Sequence, residues 1–246
     1  LEDLLTSLIL LTKIPISKYR NDANPPDITR AQWAFPLVGA LVGFITIFVT
    51  NSFSYIGLNN IPSSVIGIMA GLLIIGAFHE KGSAVFLNDF KGGINNQQKL
   101  EKIKNINLQN YGTLGLIIAI LLKVSLVADL LDTPGCFLMI IGSFALGRTS
   151  IVILRKFSTV ASGDSSVTLI GKSSFQQSLI AIVLGAIWLI PISLSLALIS
   201  TLVMLLLILG IRSLATKQIG GISEDILGTS VQIVEISTLI IFNLWI

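Results

Sequence analysis

Charge is scarce in this chain. Lys, Arg, Asp and Glu make up 12% of its 246 residues, against about 25% in an ordinary soluble domain. With 53% of residues hydrophobic, a water-soluble fold would carry more apolar surface than its interior could hide. A soluble globule is therefore excluded, and a lipid bilayer is the solvent that suits the composition. Cysteine is limited to Cys136, so neither an internal disulfide framework nor a cysteine metal cluster can form. Set in an apolar run, Cys136 reads as packing. There is no Walker P-loop, no G-x-G-x-x-G after a strand, no H-E-x-x-H and no G-x-S-x-G. No internal period and no low-complexity tract stands out. Residues 4–11 are apolar but short, and no small-residue cleavage site follows them. They are expected to form an interfacial or partly buried helix, not a cleavable signal peptide.

What the chain has instead is long apolar runs. A spanning helix needs about 20 mostly apolar residues. Residues 33–54, 63–78, 112–131, 135–154, 177–190, 193–211 and 229–246 read as such runs. The second and fifth are short enough to be tilted or partly re-entrant. Pro191 separates the fifth from the sixth by removing a backbone donor where a tight turn is needed. The expected fold is all-α: a polytopic transmembrane helical bundle of about seven spans plus a short N-terminal helix, a single integral membrane domain over residues 1–246.

The few charges sort by loop. Lys13, Lys18, Arg20 and Arg30 precede the first run, and Lys81, Lys91, Lys99, Lys102 and Lys104 lie between the second and third. Arg148, Arg155, Lys156 and Lys172 fall at the end of the fourth or after it, and Arg212 and Lys217 between the sixth and seventh. The alternate loops, 51–62, 132–134 and the Pro191 turn, contain no Lys or Arg. The positive-inside rule then makes the basic loops cytoplasmic. The formal charge of +3 serves that orientation, so nucleic acid is not expected as a partner and the lipid bilayer is. The longest polar insertion, 79–110, holds Gly92-Gly93 and a Lys-rich helical stretch at 97–105. Insertions of that length in compact proteins usually carry function, so it is the presumed active-site region.

Several segments, in order along nearly the whole chain, carry a resemblance. Thr12-Lys13-Ile14-Pro15-Ile16-Ser17 is followed by Trp33-Ala34-Phe35-Pro36-Leu37-Val38-Gly39 with Gly43. Then come Gly76-Ala77-Phe78-His79-Glu80, Gly92-Gly93, Lys99-Leu100-Glu101, Tyr111-Gly112, Leu146-Gly147-Arg148 and Gly221-Ile222-Ser223-Glu224-Asp225-Ile226-Leu227-Gly228. Together they resemble the cobalamin (5′-phosphate) synthase family, the adenosylcobinamide-GDP ribazoletransferases. The resemblance implies a transferase of cobalamin biosynthesis in the bacterial inner membrane, joining adenosylcobinamide-GDP to α-ribazole or its 5′-phosphate with release of GMP. It also implies a magnesium cofactor. Magnesium is a hard ion held by carboxylates and substrate phosphates, and clamped metal ions neutralise a pyrophosphate under attack. The family supplies those carboxylates from H-x-D-G-x-A-D-x-x-D-G and a later Asp in L-E-x-M-x-D-S-R. That arrangement is similar to the one in CDP-alcohol phosphotransferases.

Here the family's aspartates fall on Lys81, Val85, Asn88 and Asn105, and the following Arg on Asn107. A site that exchanges four anions for neutral groups and a cation is not expected to hold magnesium at ordinary affinity. The remaining metal candidates are Glu80 and Asp89. His79, Glu80 and Arg148 are the catalytic candidates, with bland alternatives of interfacial hydrogen bonding for the first two and boundary anchoring for Arg148. Lys99, Lys102, Lys104 and Asp225 are candidate substrate contacts; the lysines would equally face anionic headgroups, and Asp225 would be a loop acid. Lys123, a cation inside the third run, is a functional candidate because charge inside a bilayer is expensive.

Three readings follow. The first is the ribazole transfer. The second is a non-catalytic membrane binding or scaffold protein descended from that family, with a homo-oligomer or a corrinoid-pathway membrane protein as partner. The third is a small transporter. Against transport stands the expectation that polar residues gather in the loops and not at mid-bilayer.

Overall fold

The computed structural model describes residues 2–16, 18, 26–89, 110–161 and 164–246. Its elements are α1 (Glu2–Leu11), α2 (Ile28–Ala31), α3 (Phe35–Tyr55), α4 (Asn60–Ile75), α5 (Phe78–Asp89), α6 (Asn110–Leu130), α7 (Cys136–Phe157), α8 (Ser165–Ile170), α9 (Phe175–Ala186), α10 (Leu194–Ile219) and α11 (Glu224–Trp245). Short 3-10 turns lead into α3 and extend α9. Among the described residues there is no strand, only an isolated parallel bridge between Val160 and Ile222. The all-α transmembrane bundle read from the sequence is the fold.

Each of the seven apolar runs is a helix, and five of those helices are individually long and apolar enough to cross a membrane. The second run behaves differently. Gly76 (φ 68°) closes α4 and Ala77 (φ 53°) repeats the left-handed conformation, so α5 leaves at 94° to α4. A left-handed non-glycine residue costs about 1–2 kcal/mol, so this elbow must be held by packing. The fifth run is a short apolar helix, Phe175–Leu189. Two expectations need correcting. Residues 79–89 are not loop but the buried-faced helix α5, and α10 extends to Ile219, placing Arg212 and Lys217 on its last turns.

In lipid the hydrophobic effect does not pull helices together, so close packing of small residues does that work. Gly39 and Gly43 let α3 lie on the backbone of α7 at Phe144, Ala145 and Ile141. Gly67 and Gly71 receive Thr50 and Thr46 of α3. Gly82 of α5 and Gly228 of α11 meet each other's helices: a Cβ on Gly82 would stand 2.7 Å from the Asp225 carbonyl oxygen, and one on Gly228 3.1 Å from His79 Cα. Helix α7 is the hub, buried almost continuously from Met139 to Arg155.

The two ends of the bundle differ. At one end, Lys13 N donates to Ile74 O (2.6 Å), Gln32 Nε2 to Ile170 O (2.8 Å), and Ile222 N to Thr159 O (2.8 Å). These bonds gather the segments that carry Lys13, Arg30, Arg155, Lys156 and Lys172. Helix α1 is tied in there through Asp3, which accepts from Arg30 Nε (2.8 Å) and Trp33 Nε1 (3.1 Å). Burial alone would raise the Asp3 pKa; those two donors turn the shift downward. At the other end Asn60 Nδ2 donates to Asp132 Oδ2 (2.9 Å), and the connections have no Lys or Arg.

Close glycine packing predicts an asymmetric response to one methyl group. Gly39→Ala, pressed against α7 backbone, should lose about 1–3 kcal/mol, the usual range for overpacking. Gly210→Ala, with nothing within 4 Å of its added Cβ, should be neutral or stabilise by about 0.5–1 kcal/mol. Unfolding of both variants in detergent checks this; equal midpoints would show that the α3–α7 contact yields freely.

Candidate functional site

The sequence singles out His79, Glu80, Lys123 and Arg148 from three separated places, and the fold brings them to one region between α5, α6, α7 and α11. All four are at least 96% buried. What joins them is α11. Its Gln232 and Glu235 are three residues apart and so share a helix face. Lys123 Nζ donates to Glu235 Oε2 (2.6 Å) and to Gln232 Oε1 (2.8 Å). Arg148 Nη1 donates to Glu235 Oε1, so both carboxylate oxygens of Glu235 are occupied by cations. Gln232 Nε2 donates to Glu80 Oε1. Both cations also stand near the Phe144 ring, at 5.6 Å for Lys123 and 5.4 Å for Arg148.

Two cations thus share one carboxylate, Glu235, and Glu80 joins the cluster only through Gln232. Such pairing is what permits charge deep in a bundle, where an isolated ion would be costly. The sequence makes local room for it. A Cβ on Gly147 would lie 2.8 Å from Glu235 Cγ, so glycine beside Arg148 lets the carboxylate reach the guanidinium. The cluster is not closed on itself. Among the described residues, Glu80 Oε2, Arg148 Nε and Nη2, and both imidazole nitrogens of His79 have no hydrogen-bond partner.

Arg148, the catalytic candidate with boundary anchoring as its alternative, is a fully buried mid-helix ion-pair member, so the anchoring alternative fails. The expectation that polar residues gather in the loops fails for this cluster, which is buried among α5, α6, α7 and α11. His79 is likewise no interfacial hydrogen-bonder; its ring packs edge-on against Phe78, with centroids 5.7 Å apart. Asp225 lies in the first turn of α11, not in a loop, and its backbone is where Gly82 docks. Lys81 is exposed, and Val85 is 7% exposed in the packed interior. Lys99, Lys102, Lys104, Asn105 and Asn107 lie outside the described residues, as do the side chains of Asn88 and Asp89 at the end of α5.

The described residues of the cluster do not offer magnesium a set of free carboxylates. The ion needs carboxylate oxygens free to coordinate it, yet both oxygens of Glu235 are already paired with cations. Glu80 is the only other acid in the cluster, and two buried cations share its surroundings. Among the described residues no three His, Cys, Asp or Glu side chains converge.

Gln232 and Glu235 were not singled out from sequence, although a signal existed. Glu235 is an acid inside an apolar run, and Lys123 and Arg148 are cations inside two others. Charges within spans need partners, and Glu235 was the acid within reach.

If Glu235 is the common counter-ion, Glu235→Leu should destabilise by about 3–5 kcal/mol, because it leaves two buried cations unpaired. Adding Lys123→Met and Arg148→Met should restore most of the loss. Denaturant titrations in lipid nanodiscs measure both. A triple variant no better than the single would show that these residues do not act as one ionic unit.

Comparison with known proteins bears on this geometry as follows. The family model described as cobalamin-5-phosphate synthase matches residues 3–243. An adenosylcobinamide-GDP ribazoletransferase of Mesorhizobium japonicum is 25% identical, the match covering 98% of this chain and 92% of that protein. One from Shewanella baltica is 31% identical, over 94% of this chain and 90% of its own. No solved structure matches. The region matched by the family model reaches into all five helices long enough to cross a membrane and holds the buried cluster, from His79 on α5 to Glu235 on α11. The chain belongs to the cobalamin-5-phosphate synthase family.

Proposed function

We propose that this protein acts at the ribazole-transfer step of cobalamin assembly, binding adenosylcobinamide-GDP and α-ribazole or its 5′-phosphate at the basic end of the bundle. The observation that carries the reading is the nearly full-length family match, which spans the elbow, the buried cluster and the start of α11 together. In the transfer a ribazole hydroxyl attacks the phosphorus joined to the corrinoid, the pyrophosphate bond breaks, and GMP leaves. This chain's contribution is binding and orientation. Cations at the basic end attract the phosphates, and the rigid cluster fixes α5 against α11 where the substrates meet. Bilayer residence keeps the bulky corrinoid at the surface where its partner reactions occur.

The donor set does not hold magnesium by the described residues alone, so the intrinsic rate should be low. Loss of one preorganised electrostatic group commonly costs about 10²–10³ in rate. Restoring Lys81→Asp, Val85→Asp, Asn88→Asp and Asn105→Asp together should therefore raise turnover by at least about 10²-fold in the presence of magnesium. Purified protein in lipid vesicles, titrated with adenosylcobinamide-GDP and then assayed for GMP release with α-ribazole, tests both points. Absence of corrinoid-nucleotide binding sinks the functional reading. A fast, magnesium-dependent rate in the unrestored protein sinks the metal argument.

The reading also sets orientation in the bacterial inner membrane, with the basic end cytoplasmic. A membrane-impermeant thiol reagent applied to intact spheroplasts should label Asn59→Cys and leave Lys172→Cys unlabelled until the cells are opened. The reverse pattern would invert the topology.

A further inference from the structure

A cavity of about 270 Å³ opens at the basic end, walled by Phe35, Ile151 and Leu227 from α3, α7 and α11. Its lining is largely apolar: only His79 and Glu224 bring ionisable side chains, and the His79 ring nitrogens are buried. The rim is apolar as well. Leu10 of α1, Phe78 of α5 and Leu169 of α8 line the cavity while remaining 39%, 43% and 71% exposed. An opening framed in exposed leucine and phenylalanine suits hydrocarbon outside it, because such side chains are costly to leave in water. Water is a poor filling too, since it needs about two to four polar partners and these walls supply few. Cations stand where the wall segments leave the cavity. Lys13 follows Leu11 of the wall by two residues, and its side chain lies along Gly76 at the elbow that leads to Phe78: a Cβ on Gly76 would be 2.8 Å from Lys13 Cγ and Cε. Lys172 follows Ile170 of the wall by two residues. Both lysines are exposed, and among the described residues neither is in an ion pair. Arg30, two residues past Ile28 of the wall, is already paired with Asp3. Two lysines against Glu224 leave the rim net positive.

We propose that this cavity holds one acyl chain of an anionic phospholipid whose phosphate rests on Lys13 and Lys172. The proposal stands apart from the ribazole-transfer reading and does not depend on it. A tail that leaves the bilayer for the cavity exchanges fluid lipid contacts for packed protein walls. The gain is dispersion and shape, the same force that joins helices in lipid. That gain is common to all headgroups, so charge supplies the selection: each lysine facing an anionic lipid surface strengthens binding by about fivefold. Leu10 and Leu11 are at the end of α1, so the chain lies between that short helix and the bundle and helps to seat one on the other. A soluble phosphate would find the same lysines, but it gains nothing from the apolar walls or from the greasy rim.

The test uses the intact protein in nanodiscs doped with phosphatidylglycerol or phosphatidylcholine, each carrying the same diazirine-bearing acyl chain. Crosslinked peptides are then quantified by mass spectrometry. Phosphatidylglycerol should label the segments around Ile28, Ile151 and Leu227 at least about fivefold more than phosphatidylcholine. Lys13→Gln combined with Lys172→Gln should bring that ratio close to unity, while labelling of the lipid-facing side of α10, at Leu198, Leu202 and Leu206, stays the same. Leu169→Asp, a change at an exposed rim position, should remove most cavity labelling by either lipid. Inorganic phosphate, compared with chloride at equal ionic strength, should leave the label in place. Equal cavity labelling by the two headgroups in the wild type overturns the proposal, and that comparison needs no substituted protein. Label confined to the outer faces of α6 and α10 overturns it as well. So does cavity labelling that ignores Leu169→Asp. Displacement by inorganic phosphate would assign the lysines to a soluble ligand and likewise overturn it.

Discussion

Two positive charges buried against one carboxylate set the terms for the rest of this structure. Lys123 and Arg148 come from different helices, and both are stable in the bundle only because Glu235 lies between them. That requirement fixes the rotation of α6, α7 and α11 about their axes, since a helix turned by one residue would withdraw its charge. Gln232 extends the constraint to α5 through Glu80. The glycines then follow. Without Gly147 the carboxylate could not approach α7, and without Gly82 and Gly228 the α5–α11 crossing would open and Glu80 would lose contact with Gln232. Packing and electrostatics here are one condition stated at two distances.

Much of this was readable before any coordinates. Apolar length located every major helix, because a bilayer imposes one dominant periodicity and length. The absence of Lys and Arg from alternate loops anticipated the two unlike ends. His79, Glu80, Lys123 and Arg148 stood out as costly residues for a membrane interior, and they do converge. Helix α5 was misread because its His, Glu, Lys and Asn resemble a loop, whereas a helix with one buried polar face and one exposed face has the same composition. Glu235 escaped for a related reason. Length-based reading treats a lone acid in an apolar run as noise, and only the demand for a counter-ion gives it meaning.

The same residues bear on the magnesium that the family resemblance implies. The family match covers the elbow, the buried cluster and the start of α11, while Lys81 and Val85 stand on α5 where the resemblance implies aspartates. Of the acids in the cluster, Glu235 has both oxygens on Lys123 and Arg148, while Glu80 holds Gln232 through Oε1 alone. A buried carboxylate that neutralises a side-chain cation is no longer free to ligate an ion, so the internal pairing and an intact magnesium site compete for the same negative charge.

The elbow at Gly76-Ala77 also reaches beyond the protein. Because α5 turns away at 94°, α4 is left with sixteen residues, or about 24 Å of helix at 1.5 Å per residue. The hydrocarbon layer is about 30 Å thick, and a span too short for it is accommodated by thinning of the lipid alongside. If α4 crosses on its own, the lipid beside it should thin, drawing headgroups and water inward at the elbow. A substrate carrying both a greasy macrocycle and a charged tail would meet there a shorter crossing from lipid to solvent than the undisturbed membrane provides.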